Sequence, residues 1–309
     1  MRRVVCLLFC AVWIGVAGGV AAEPNPAPIG SDPPTQEEDQ PFEVIQITGT
    51  RFESKLADVS APVQVIDAHV LSERSPEVLT DALREVPNVH VQATTVGQGS
   101  PYVRGLTGSG VLNLVDGMRL NHAIYRSSPN PYLALVDPHI ARRIEIVRGP
   151  ASVLYGSDAM GGVIQVLTRK PEFDSTDWEI RGGVDARFGS ADLSRSVHAN
   201  LAAGREGLGI EAGFSVLATE DLRGGGDVGR QRPSDYSMIG GNASALWEPA
   251  TNHRTTLDFQ MQRQPETPRY DELVSGFGQS DPGFDVWDYD PLERIFGHLQ
   301  HRIDRKSVV

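Results

Sequence analysis

After Pro171 the chain falls into six segments of roughly ten residues with alternating side-chain character, near 177–188, 194–205, 208–220, 236–247, 253–263 and 293–303. In the first, Trp178, Ile180, Gly182, Val184, Ala186 and Phe188 share one face, and Glu179, Arg181, Gly183, Asp185 and Arg187 the other. Leu208, Ile210, Ala212, Phe214 and Val216 alternate with Gly209, Glu211, Gly213 and Ser215. Leu257, Phe259 and Met261 alternate with Asp258, Gln260 and Gln262. A period of two is the signature of a strand. Half-buried strands of a water-soluble sheet would show it too, but the connections argue otherwise. Those near 206 and 249–252 are short, and those at 221–235 and 264–292 are long. Short turns at one end and long loops at the other are the pattern of an outer-membrane barrel. Such a sheet must close on itself, because unpaired strand edges cannot sit in hydrocarbon.

The N-terminus agrees with export. Arg2 and Arg3 precede an apolar run from Val4 to Val16, and Val20-Ala21-Ala22 offers a small-residue cleavage site, so the mature chain is expected to begin at Glu23. A lipoprotein signal ending at Cys10 is the alternative. Phe9 opposes it, since a small residue is wanted there. Both cysteines, Cys6 and Cys10, lie inside this signal, so no disulfide framework is expected. Beyond it no apolar run is long enough for a membrane-spanning helix. The formal charge of −12 opposes a nucleic-acid partner. Residues 23–41 are Pro-rich and acidic and are expected to form a disordered arm.

Between arm and barrel-type strands lies a mixed α and β pattern. Phe42–Thr50 is β-prone, and Ala61–Ile66 alternates as a strand does. Asp67 can cap a brief helix through Arg74. Ser75-Pro76 reads as the start of a second helix with apolar face Leu79, Ala82, Leu83 and Val86, stopped by Pro87. Strands follow at Val89–Gln92, Tyr102–Leu106 and Val111–Leu120, the last broken by an Asp116-Gly117 turn signal. The segment RRIEIVRGPASVLYGSDAMGGVIQVLT (142–168) then places strand-like Ile144–Val147 and Val163–Leu167 around a Gly-rich stretch. Gly149, Gly156, Gly161 and Gly162 mark sharp turns or close backbone approaches, and Pro150 ends the first strand.

This last segment resembles the plug-closing motif of TonB-dependent outer-membrane receptors, roughly RIEVVRGP-S-LYG--A-GGVINI-T. The matches are Ile144, Glu145, Val147, Arg148, Gly149, Pro150, Ser152, Leu154, Tyr155, Gly156, Ala159, Gly161, Gly162, Val163, Ile164 and Thr168; Gln165 departs from the usual Asn. Val103-Arg104-Gly105 and Val111–Leu120 resemble two further plug motifs, -IRG- and VL-L-DGVRL. The likeness covers about 42–171.

The resemblance implies a fold: an α+β plug domain (55–171) followed by antiparallel transmembrane β-barrel strands. Enclosing a plug takes about 22 strands, so 172–303 would be the first six or so. The closing residues 304–309 (DRKSVV) look like a translated sequencing adapter, and a truncated reading frame is expected. Within 42–50, Glu43, Val44, Ile45, Gln46, Ile47 and Thr48 resemble the TonB box, which adds as a strand to TonB. The preceding arm is too short for the periplasmic signalling domain of some receptors. Arg104 and Arg148 would form salt bridges from plug to barrel glutamates.

Ligand contacts are expected from Asn121–Tyr132, through His122, Tyr125, Arg126 and Tyr132. His and Tyr suit haem iron, and aromatics with Arg suit an anionic siderophore. Glu266–Asp271 (ETPRYD) resembles the haem-receptor branch. The expected partners are TonB, energised by ExbB and ExbD, outer-membrane lipid, and an extracellular small molecule or haemoprotein. The expected activity is uptake of haem or a ferric siderophore across the outer membrane of a Gram-negative bacterium. No permanently bound cofactor is expected. Cobalamin or another substrate of the family is the alternative, as is a passive porin. An enzyme is not expected: no residues have metal-ligand spacing, His298 and His301 fall on opposite strand faces, and GSDAMGG lacks the Lys-Ser/Thr of a phosphate loop.

Overall fold

The 142–168 segment folds as the sequence demands, into two antiparallel strands at the heart of a five-stranded sheet. The computed structural model describes residues 45–46, 48–50, 54–122 and 130–304. The expected signal, the acidic arm, Glu43, Val44, Ile47, Tyr125, Arg126 and 305–309 lie outside the described residues.

The chain opens with β1 (Ile45–Gln46), β2 (Ser54–Lys55), β3 (Val63–Asp67) and helix α1 (Ala68–Arg74). Then come β4 (Val89–Gln92), β5 (Ser100–Val103), β6 (Val111–Val115), β7 (Met118–Arg119), β8 (Ala141–Arg148), helix α2 (Ser152–Tyr155) and β9 (Gly162–Thr168). The plug sheet has the order β3-β8-β9-β6-β7, with β6 parallel to β9 and the other pairs antiparallel. Its two faces bury separate clusters. Ile144, Ile146, Ile164 and Val166 pack under α1 and Leu79, Leu83 and Leu133; Leu112, Leu114, Val147 and Val163 pack under Leu56, Val59, Ala61 and Tyr155. Near-continuous apolar strands are what a sheet covered on both sides requires.

Local chemistry sets the ends of these elements. Asp67 caps α1 by accepting from the Val70 N–H at 2.9 Å. Ser75 corrects the sequence expectation. It takes φ 47° and ψ 52°, and its N–H donates to Leu71 O, so it closes α1 instead of opening a second helix. The apolar residues beyond it are buried as expected, but on a short 3-10 turn, Leu79–Leu83. Arg104-Gly105 and Asp116-Gly117 each take positive φ at both positions, the geometry of a tight hairpin turn, and the strand expected at Tyr102–Leu106 therefore ends at Val103. Gly162 is required by proximity, since a Cβ there would lie 2.3 Å from Val147 O.

Six strands then form a second sheet. They are β10 (Glu179–Phe188), β11 (Arg195–Arg205), β12 (Leu208–Ala218), β15 (Ser237–Ala250), β16 (His253–Gln264) and β19 (Leu292–Ile303), in the order β10-β11-β12-β15-β16-β19, all antiparallel. The long loops carry two small ribbons, β13 (Arg223–Gly224) with β14 (Gly229–Arg230), and β17 (Thr267–Pro268) with β18 (Asp288–Tyr289), plus helix α3 (Tyr270–Leu273). The six predicted segments match these strands to within a few residues.

Candidate functional site

The six-stranded sheet turns its polar side chains toward the plug. Asp258, Gln260, Gln262 and Gln264 of β16 are buried, while Leu257 and Phe259, on either side of Asp258, are exposed. Outward residues align in rows across the strands, for example Ile210, Ala245, Leu257 and Leu299. This inverted pattern suits a wall with lipid on one side and a polar lumen on the other.

The lumen side meets the plug through hydrogen bonds. Gln264 Nε2 donates to Gly97 O at 2.8 Å, and Arg294 Nε donates to Leu135 O at 2.8 Å. Asp137 of the plug accepts from Ser215 Oγ of β12 and from the His139 N–H. Ser215 also lies 2.8 Å from His198 Nδ1 of β11, and the His198 ring stacks on that of His139 at 4.5 Å. Because Ser215 donates to Asp137, His198 must donate to Ser215. That polarity is the reverse of what a serine nucleophile needs from a histidine base. Burial pushes His139 below its ordinary value, opposed by Asp137 and reinforced by His198, so the stack is held by a neutral imidazole on the plug side.

Among the described residues an ion pair joins plug and wall midway along β16. Lys170 Nζ lies 2.7 Å from Asp258 of β16 and 3.1 Å from Asp116 of the plug hairpin. Asp116 also accepts from the Thr168 N–H and Oγ1, which anchors the triad to the end of β9. The resemblance placed this role on Arg104 and Arg148. Among the described residues neither has a carboxylate partner: Arg104 is exposed beside Gly149, and Arg148 Nη1 donates to Pro87 O at 3.3 Å. Lys170 carried no sequence signal, since only folding brings it between two aspartates distant in the chain.

The described part of the segment resembling the TonB box, Ile45, Gln46 and Thr48, is tied to the plug. The backbone of β1 pairs with β2, Ile45 opposite Lys55 and Gln46 opposite Ser54. Thr48 is fully buried. Its N–H and Oγ1 each donate to Glu145 Oε2 at 2.7 Å, and its carbonyl accepts from Tyr155 OH at 2.8 Å. Glu145 Oε1 accepts from Arg143 Nε at 2.8 Å.

At the long-loop end, His122 is exposed. Tyr132 is buried, its hydroxyl accepts from the His122 N–H and donates to the His122 carbonyl, and its ring meets the imidazole edge-on at 5.2 Å. A second apical segment, 94–99, escaped sequence reasoning. Gly97 packs against Tyr236 at the foot of one long loop, and Gln264 holds Gly97 O at the foot of the other. The ETPRYD segment also has a structural task. Arg269 is buried, pairs with Asp271 and Glu272 and stacks on Trp287 at 4.6 Å, while the Asp271 N–H donates to Thr94 O at 3.3 Å. It fastens the loop to the plug. Among the described residues no group of three or more His, Cys, Asp or Glu could hold a metal ion.

The TonB-dependent receptor plug domain model matches residues 55–163. The vitamin B12 transporter BtuB of Vibrio vulnificus (strain CMCP6) is 37% identical over 139 residues, 44% of this chain and 22% of that protein. Among solved structures, FpvA of P. aeruginosa bound to heterologous pyoverdines has a TM-score of 0.63 at 14% identity, covering 84% of this chain and 34% of that one. The hemophore receptor HasR of Serratia marcescens, in complex with its hemophore HasA and heme, has a TM-score of 0.59 at 20% identity, covering 66% and 32%. At these identities the structures share the fold alone. The match to the curated relative spans 22% of that relative's length. In its plug motifs, over residues 55–163, and in the fold of the wall they rest on, the chain is similar to the TonB-dependent receptors.

Proposed function

We propose that the protein is an active transporter that takes up a scarce nutrient, an iron complex such as haem or a ferric siderophore, across the outer membrane with energy delivered by TonB and its ExbB and ExbD partners. The observation that carries this reading is the plug seated on the polar inner face of the wall. Gln262 and Gln264 are buried against plug carbonyls, Ala134 O and Gly97 O. A passive porin keeps its lumen open; a plug that fills it must be rearranged before anything passes. Its contacts with the wall include hydrogen bonds and ion pairs, which water can replace as the plug moves, beside one apolar patch where Val78 and Ala134 meet Leu217, Tyr236 and Met238. Ligand would bind at the long-loop end, on His122 and the neighbouring Tyr125 and Arg126, and TonB would add along Glu43–Thr48.

Arg104 and Arg148 keep the role of partners to barrel glutamates in this proposal. Cobalamin is the second reading of the cargo, favoured by the likeness of the plug to that of a vitamin B12 transporter. The test is to delete residues 43–48 and measure growth on haem, a ferric siderophore or cobalamin as sole source. Loss of growth on one of them is expected and names the cargo. Uptake that survives the deletion overturns TonB dependence in favour of a passive barrel.

A further inference from the structure

The carboxylate of Glu145 lies in the middle of the plug sheet, on a strand flanked by β3 on one side and β9 on the other, and is completely buried. Its cross-strand partners are Val65 and Gln165. A buried charge inside an apolar sheet is costly unless its oxygens are satisfied. Here part of that satisfaction comes from Thr48, 97 residues away in sequence, at the end of the TonB-like segment. Two of the bonds holding Thr48 go to a carboxyl group that also pairs with Arg143, the stronger kind of hydrogen bond. Tyr155 completes the grip from the other side, on the Thr48 carbonyl. The chain after Thr48 runs on through β2 to Leu56, Val59 and Ala61, which pack against the same face of the sheet.

We propose that Glu145 is the positioning residue that latches the TonB-binding segment to the plug, and that the Thr48–Glu145 contact is where a pull on residues 43–48 enters β8. A pull at Thr48 then loads an inner strand of the plug sheet before the chain from Gly49 to Ala61 can peel away. Releasing Thr48 also takes donors from a buried carboxylate, so the released state must admit water or a new donor to this face of the plug. The latch therefore keeps the segment parked, and its loss uncovers part of the plug. The proposal rests on the transporter reading only for the identity of what pulls.

The test needs no TonB. Gln46→Cys is introduced into the full-length protein; within residues 1–309 the cysteines, Cys6 and Cys10, lie in the segment read as a cleaved signal, and any cysteine beyond them is replaced by serine. Its reaction with a bulky maleimide is timed in isolated outer membranes. Val166→Cys, buried on the opposite face of the plug sheet, serves as the folding control and should stay unlabelled. Glu145→Ala should speed labelling at position 46 by about tenfold or more, and Thr48→Val and Tyr155→Phe by a few-fold each. Glu145→Asp should label more slowly than Glu145→Ala.

Unchanged labelling in Glu145→Ala with a protected Val166→Cys overturns the latch. If Glu145→Ala opens the plug and exposes position 166, Thr48→Val and Tyr155→Phe decide, since both leave the carboxylate in place; no acceleration in either overturns it. Faster labelling in a protein whose uptake survives deletion of 43–48 supports the latch and refutes the transport reading. Unchanged labelling with TonB-dependent uptake does the reverse.

Discussion

In the plug sheet, Ile144, Ile146, Ile164 and Val166 are buried and closely packed, whereas in the six-stranded wall Ile180, Val184, Leu257 and Leu299 are exposed. The neighbours Leu257 and Asp258 show the inversion most sharply, with the leucine 54% and the aspartate 3% exposed. Both sheets obey one rule: each side chain faces the medium it can satisfy. The plug has water-facing edges and an apolar interior. The wall has lipid outside, so its polar residues turn inward and find partners on the plug. A largely hydrogen-bonded interface follows from that arrangement, and with it a plug that is apolar inside but joined to the wall mostly by bonds that water can exchange, the patch of Val78 and Ala134 on Leu217, Tyr236 and Met238 excepted.

The largest expected effect lies where the two sheets meet. Lys170→Met should leave Asp116 and Asp258 as uncompensated buried charges and cost about 3–5 kcal/mol. Protease resistance of the plug in the detergent-solubilised protein would report it. Adding Asp116→Asn and Asp258→Asn should recover most of the loss; failure to recover would show that Lys170 matters through packing alone. Within the plug, Ile164→Ala should cost about 2–5 kcal/mol by opening a cavity that the sheet cannot collapse into. Thermal unfolding of the plug would read it, with the wall strands unaffected.

On the wall, Leu257→Arg should cost about 2–4 kcal/mol in a bilayer if that face meets lipid near its midplane. The cost should vanish in the unfolding of a protein whose outer face is in water, so equal stability of variant and parent in membranes would break the comparison. The smallest effect depends on pH. Burial raises the Glu77 carboxyl above its ordinary value, partly offset by a Ser194 hydrogen bond and reinforced by Asp192 and Asp81. The folded state then keeps this proton where the unfolded chain has lost it, so stability falls as pH rises from the ordinary value of about 4.3 through the raised one. Glu77→Gln should therefore raise the unfolding temperature at pH 8 and change nothing at pH 3.5, below both values. A gain at pH 3.5 equal to that at pH 8 would place the cause in packing.

Legibility differed between the sheets for a physical reason. The wall strands were read almost to the residue, because period two survives wherever opposite faces meet different media. The plug motifs were equally plain, since Gly162 and the Asp116-Gly117 turn leave little choice of residue. Misreadings arose where one residue type serves two tasks. Ser75-Pro76 satisfies the rule for a helix start, yet Ser75 in a left-handed conformation ends the preceding helix.

The sequence by itself determined the elements and the side of each that faces lipid, lumen or core, because those depend on residues close together along the chain. Only the tertiary structure decided the partners. Lys170 lies between Asp116 and Asp258, Thr48 lies on Glu145, and Gln264 lies on Gly97. These contacts join residues some 50 to nearly 170 positions apart. No local pattern encodes such a pairing, because each charge or amide would look the same in solvent. It is the exclusion of water between plug and wall that makes each of them choose a partner.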